Sequence, residues 1–310
     1  MAPANLILQA DSIRTQNSTR MLVVGEILWD LFPESTLLGG APLNFAVHVS
    51  RLGYQPILIS AVGDDDLGRR AQRAIQALGL DTSMLQVAAN WETGTARVEL
   101  DSLGHPTFAI PRPAAYDAAQ IAHADQLRLT AWMPAWVYYG TLFASRAEGK
   151  RTLLQLLAAL PNTLRFYDVN LRPGFDSPAL VLELLSLASV VKLNEAELQA
   201  VSRFDSLPSD VESFCRAGVA RYGWKAVCVT LGARGCAVLV GNEYLVAEGY
   251  PVKVADTVGA GDAFAAAFVH GISCQWAGKK TAMFANRVGA IVASRAGAIP
   301  DWNIAEAIAP

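Results

Sequence analysis

The chain has 310 residues, 52% of them apolar and 17% charged, and a formal net charge of −3. That composition belongs to a folded globular protein with an ample core, and its acidic balance gives no footing for nucleic acid or for an anionic membrane surface. No apolar run approaches the ~18 residues of a membrane span, and Cys215, Cys228, Cys236 and Cys274 form no C-x-x-C pair, so they read as reduced, buried thiols of a cytoplasmic protein.

From the N-terminus, residues 1–20 are polar and predict a tail, with Met21 an alternative start. The first strand is expected at Met21–Ile27, followed by an irregular piece at Trp29–Gly40 and a helix at Leu43–Leu52. Strand Pro56–Val62 and helix Leu67–Leu78 come next, and then the pattern breaks. Residues Thr93–Ile110 (TGTARVELDSLGHPTFAI) alternate like a hairpin that turns at Asp101–Pro106. Further strands are predicted at Trp136–Tyr139, Leu164–Val169, Val190–Leu193, Ala226–Leu231 and Ala237–Val240. Helices are expected between them, at Arg146–Leu160, Pro178–Ala188, Glu195–Val201 and Asp210–Tyr222. The last part of the chain is helical, most clearly at Thr281–Ser294.

Strands that are apolar throughout and separated by helices indicate an α/β fold, a mostly parallel central sheet in a three-layer core. Residues 21–310 then form one domain. Its exceptions, at about 29–41 and 93–112, are expected to pair into a small β-sheet lid, which would exclude water from a bound substrate. An ordinary edge hairpin is the other reading of the second piece.

The most informative segment is Asp256–Phe264, DTVGAGDAF, which runs into the apolar stretch Ala265–Ile272. Two glycines and a carboxylate stand where a loop becomes a helix. First-turn amides have no backbone partner there and gather positive potential, and Gly259 and Gly261 let an anion approach the main chain. Asp262 falls in the first turn. That set suits phosphoryl transfer to a hydroxyl, the amides holding phosphate charge and the carboxylate taking the proton. A helix merely capped by an acidic residue fits the same segment.

Residues 39–53, GGAPLNFAVHVSRLG, form a second glycine-rich helix entry. Asn44 in its first turn offers a donor and an acceptor to hydroxyl groups, and a plain turn into a helix is the alternative. Asp168–Arg172 (D-x-N-x-R) ends a strand, where open α/β sheets bind ligands. Asn194 and Glu197 (N-x-x-E) follow another strand and also fit a capping box. There is no Walker A loop, because six residues separate Gly271 from Gly278-Lys279, and the dinucleotide G-x-G-x-x-G is missing too. His48, His105, His123 and His270 have no ligand spacing and read as structural.

In this order and about 200 residues apart, the two glycine-rich segments resemble the signatures of the PfkB (ribokinase-like) carbohydrate kinase family. The similarity runs from about Met21 to Pro300. It implies a ribokinase-like core with a β-lid, ATP as donor and Mg²⁺ as cofactor. It also implies that Asp262 is the catalytic base, with Gly259, Ala260 and Gly261 as the anion hole. Asp30, Gly39, Gly40, Asn44, Asn170 and Arg172 would meet the sugar, and Arg97 or Arg172 would meet the carboxylate of an acidic substrate. Lys192, Thr230, Gly232 and Asn286 fall to ATP. Asn194 and Glu197 would organise Mg²⁺ through water, and Asp256 with the Val258 carbonyl would mark a monovalent-cation (K⁺) site.

Within the family, GEILWDLFP and the Gly-Gly-Ala-Pro run resemble bacterial fructokinases most, which favours fructose. The runner-up is 2-keto-3-deoxygluconate kinase, which shares D-x-N-x-R, ahead of ribokinase and nucleoside kinase. A reading from another class is a non-catalytic sugar- or nucleotide-binding regulator; retention of Asp262, both glycines and N-x-x-E speaks against it. The partners implied are a small-molecule sugar and ATP, and relatives often cover the lid's apolar face by homodimerisation.

Overall fold

A computed structural model describes residues 19–32, 34–100 and 106–308. The predicted tail up to residue 18, residues 101–105 of the expected hairpin turn and His105 lie outside the described residues. The chain runs β1 (Arg20–Val24), β2 (Leu28–Leu31), β3 (Thr36–Gly39), α1 (Ala41–Arg51), β4 (Gln55–Gly63), α2 (Asp66–Ala77), β5 (Leu85–Ala88), β6 (Gly94–Leu100) and β7 (Pro106–Ala109). It continues with α3 (His123–Trp132), β8 (Trp136–Gly140), α4 (Thr141–Ala144), α5 (Ala147–Ala159), β9 (Leu164–Asp168), α6 (Pro178–Leu187), β10 (Val190–Asn194) and α7 (Glu195–Asp205). Then come α8 (Val211–Tyr222), β11 (Ala226–Thr230), β12 (Cys236–Val240), β13 (Glu243–Ala247), α9 (Ala260–Ser273), α10 (Gly278–Ala293) and α11 (Ile304–Ile308).

Nine strands form one sheet in the order β13-β12-β11-β10-β9-β8-β1-β4-β5. Every pairing from β11 to β5 is parallel, and β12 and β13 add an antiparallel edge. Because side chains alternate along a strand, β1 serves two cores at once. Met21 and Val23 pack with α1, α2, α9 and α10, whereas Leu22 and Val24 pack with α5, α6 and α8 on the opposite face. This is the expected three-layer arrangement, and it puts the carboxyl ends of the parallel strands at one edge, where ligands bind in such sheets.

β3-β2-β6-β7 form a separate four-stranded sheet. The predicted hairpin is its antiparallel β6–β7 pair, and β2 joins β6 in parallel with Asp30 opposite Ala96 and Leu31 opposite Arg97. Trp29 fixes this sheet to the body: its indole N–H donates to the Leu67 carbonyl at 3.0 Å, and the ring is buried under the Arg70 guanidinium. At the root of β6, the Asp65 carboxylate accepts from the backbone N–H of Thr93 and of Gly68 and from the Thr93 hydroxyl.

Some boundaries differ from the expectation. The first strand begins within the predicted tail, at Arg20, and ends at Val24 instead of Ile27. The chain turns at Gly25, whose N–H donates to the Ile59 carbonyl, and crosses into the small sheet. The piece expected to be irregular contains two antiparallel strands, β2 and β3. β5, β13 and α3 go beyond the sequence expectation, since none carries a strong apolar period; α3 buries only Leu129. Among the described residues no helix is long and apolar enough to cross a membrane. Among the described residues the four cysteines form no disulfide, and three of them are buried.

Candidate active site

A cavity of about 340 Å³ opens at the carboxyl edge of the large sheet and reaches the small one. Its floor is the entry to α9. Gly259 caps that helix at φ +78°, and a Cβ there would lie 2.3 Å from the Ala298 carbonyl oxygen, so only glycine fits. Asp256 braces the loop before it: its carboxylate accepts from the N–H of Val258 and of Gly297. Val258, Gly259 and Gly261 line the cavity, and Ala260 opens the helix behind them. The first-turn amides therefore lie beside the cavity, as the sequence predicts.

Asp262, in the same turn, lines the cavity and accepts a hydrogen bond from the Asn44 side-chain nitrogen at 2.8 Å. Asn44 comes from the first turn of α1, so the two glycine-rich segments meet at one bond. α1 starts at Gly40, where φ is +109° and a Cβ would lie 2.5 Å from the Glu26 carbonyl oxygen, so a side chain is excluded. The Asp262 carboxyl keeps some solvent contact, yet protein surrounds it. Burial raises it to about 7, and Asp168 adds to the rise against Lys192, Asn44 and Arg172.

Lys192 ends its reach at the same place. Its ammonium is held by both Asp168 oxygens at 3.0 and 3.2 Å, while the Tyr138 hydroxyl donates to Asp168 at 3.3 Å. A Cβ on Gly261 would stand 3.2 Å from that ammonium, so the cation and the first-turn amides converge. Burial by itself would lower the Lys192 pKa, but Asp168 and Glu197 outweigh it and keep the charge on. Asn194 and Glu197 form the capping box of α7, Asn194 accepting from the Glu197 N–H and Glu197 from the Asn194 N–H. Glu197 also accepts from the Leu171 N–H, and burial raises its pKa.

On the sugar side predicted from sequence, Asp30, Gly40, Asn44, Asn170 and Arg172 all line the cavity, and Gly39 backs against the Asp30 carboxylate. Burial lifts Asp30 to about 6, with Arg172 pulling down and Asp256 pushing up. Asp168, the first residue of D-x-N-x-R, is fully buried and does not line the cavity. The chain leaves strand geometry after it, with Asn170 at φ +37°.

Arg97 is a correction. It is exposed and shares with Leu31 the face of the small sheet opposite Asp30 and Ala96, which line the cavity, so it cannot meet a substrate carboxylate there. Asn286 does not line this cavity, and its amide nitrogen donates to the carbonyls of Ala247 and Glu248 at the exit of β13. Thr230 lines the cavity, whereas Gly232 is exposed and does not line it.

Sequence reasoning missed Glu26, Leu142 and Thr257, all of which line the cavity. Glu26 carried a signal, being an acid set within the apolar run VVGEILW. Among the described residues no group of three or more His, Cys, Asp or Glu is arranged to hold a metal.

The model of the pfkB family carbohydrate kinases matches residues 34–305. The chain belongs to that family. The kinase is 30% identical over 304 residues to the fructokinase of Salmonella typhimurium, covering 91% of this chain and 93% of that protein. Its fold superposes with a TM-score of 0.80 on the fructokinase with bound ATP from Xylella fastidiosa, at 23% identity and with 91% and 94% of the two chains covered. With the fructokinase from Vibrio cholerae O395, solved with fructose, ADP and calcium ion, the TM-score is 0.74 at 27% identity, covering 91% and 95%. The kinase thus has its likeness over nearly its whole length.

Proposed function

We propose that this carbohydrate kinase transfers the γ-phosphate of ATP to a hydroxyl of fructose, with Asp262 as the general base. The observation that carries the reading is the convergence of the Asp262 carboxylate, the α9 amides and the Lys192 ammonium on one cavity. A carboxylate of ordinary pKa, ~4, is a poor partner for an alcohol. At about 7, Asp262 is a better one, yet still too weak to hold a free alkoxide. The proton therefore moves as the new O–P bond forms and the bond to the leaving ADP breaks. Orientation and the positive ends of the site carry most of the barrier reduction.

The wall supports a neutral acceptor. Four carboxyl groups, Glu26, Asp30, Glu197 and Asp262, line the cavity against two cations, Arg172 and Lys192, and Lys192 is already paired with Asp168; Arg97 is turned away. A sugar acid would place its charge among those carboxyl groups, which disfavours 2-keto-3-deoxygluconate. The relatives' names point the same way.

Both Glu197 oxygens already accept backbone N–H groups, so the residues fit an ion held chiefly by phosphates and water, as Mg²⁺ prefers. Asn194 and Glu197 would hold that water. Mg²⁺ supplies charge neutralisation of the phosphates. Asp256 closes its own loop with two amides, so a monovalent cation beside it and Val258 is given no step. A lid role for the small sheet, a homodimer through it and a cytoplasmic setting belong to the same proposal.

ATP consumption with fructose, ribose, 2-keto-3-deoxygluconate and adenosine tests the reading. Fructose is expected to give the largest kcat/KM; activity on the acid alone would overturn the assignment. Thermal stabilisation by sugar and nucleotide with no ADP release would instead favour a non-catalytic regulator.

A further inference from the structure

Glu26 stands just past the carboxyl end of β1, and the transfer described above does not use it. It is 4% exposed and lines the cavity, and its Oε2 is enclosed with no hydrogen-bond partner among the described residues. Its carboxyl feels the charges of Arg172, Arg112 and Asp262, two cations and the proposed base. Arg112 is already committed elsewhere, to the Asp117 carboxylate, the Leu142 carbonyl and the Ser145 hydroxyl. It lends Glu26 its field and no bond.

A second acceptor on the same wall is in the same position. Asn44 spends its nitrogen on Asp262, and its Oδ1 is buried without a partner among the described residues. Buried acceptors without donors are a standing cost to a fold, and each calls for an explanation. Both here call for a donor. Phosphate oxygens of a nucleotide bring acceptors only, whereas a polyol brings a hydroxyl donor at nearly every carbon.

We propose that Glu26 binds the acceptor sugar, its free oxygen accepting a hydrogen bond from a hydroxyl other than the one phosphorylated. This rests on the sugar-kinase reading and adds to it a residue that selects among sugars. Asp262 takes the reacting hydroxyl, so the partner of Glu26 is a second one. Burial pushes the Glu26 carboxyl up to about 7 against Arg172 and Arg112, and a sugar hydroxyl donating to the ionised oxygen would offset that penalty.

The test changes enzyme and sugar together. KM and kcat are measured for fructose and its monodeoxy analogues with wild type, Glu26→Met and Glu26→Gln. Wild type is expected to lose roughly 10–100-fold in kcat/KM on one analogue, the size of a lost hydrogen bond to a charged group. Glu26→Met should raise the fructose KM by a similar factor, leave the ATP KM within about twofold and discriminate no further against that analogue. Glu26→Gln, which keeps an acceptor, should restore part of the loss. An unchanged fructose KM in Glu26→Met would overturn the proposal. So would a raised KM with every analogue penalty still at full size, since that marks a structural role. Should Glu26→Met not fold, Glu26→Ala read by the sugar-induced rise in Tm carries the same comparison. Failure of the underlying kinase reading is seen separately, as wild-type inactivity on the whole sugar panel.

Discussion

The floor of the cavity and its small-sheet wall are held in place by different means. On the floor the charged groups have internal partners: Asp262 with Asn44, Lys192 with Asp168, and Asp256 with its neighbour Val258 and with Gly297 across the fold. The wall is attached through the Trp29 anchor and the Asp65–Thr93 knot, and it leaves Leu37 and Arg97 in solvent. The difference separates two tasks. On the proposed function, a cross-braced floor would keep the reacting groups in register, and a lightly attached wall would meet the substrate.

The largest effect should come from the floor. Asp262→Asn is expected to lower kcat by roughly 10²–10⁴-fold, the usual yield of a general base, with little change in ATP binding; ADP release and nucleotide titration check both. The same variant should be more stable. The folded pKa of Asp262 is raised to about 7 from ~4 in the unfolded chain, so its stabilising contribution is complete below ~4 and lost as pH rises through about 7. The Tm gain of Asp262→Asn should therefore be greater at pH 8 than at pH 5, and an equal gain at both would remove Asp262 as the raised group.

Gly259→Ala tests the bracing itself. The positive φ and the Ala298 carbonyl leave no room for a methyl group, and a loss of about 1–3 kcal/mol is expected in urea unfolding. A midpoint unchanged from wild type would mean that this loop is not fixed as described.

On the wall, Trp29→Phe keeps a smaller aromatic ring and removes the bond to Leu67. It should cost about 1 kcal/mol and raise the sugar KM more than the ATP KM. Equal changes in both would merge the two tasks into one. The smallest effect is expected from Arg97→Ala, which should leave the sugar KM within about twofold because the residue faces away. A large rise there would return Arg97 to the substrate side.

Much of the floor is legible in the sequence because it is local. DTVGAGDAF contains its own loop, cap and carboxylate within nine residues, and N-x-x-E encodes a capping box at fixed spacing. The three-layer core follows from apolar strands alternating with helices. What stays hidden depends on contacts far apart in the chain. Nothing local in GGAPLNF shows that the Asn44 nitrogen would be taken by Asp262, 218 residues away. The direction of Arg97 is set by the parallel β2–β6 register, which no hairpin pattern contains. Asp168 is taken up by Lys192, its register partner on the neighbouring strand, a pairing that D-x-N-x-R alone does not show.

The central claim is that Asp262 is the base, its proton affinity raised by burial and held down in part by the Asn44 hydrogen bond. The pH dependence of kcat/KM for fructose, in wild type and Asn44→Ala, tests it most directly. Wild type should show a rise with pH through about 7, as Asp262 loses its proton. Removing the Asn44 donor, which favours the ionised form, should move that rise to higher pH. A profile flat from pH 5 to pH 9, or a limb that stays in place in the variant, would contradict it.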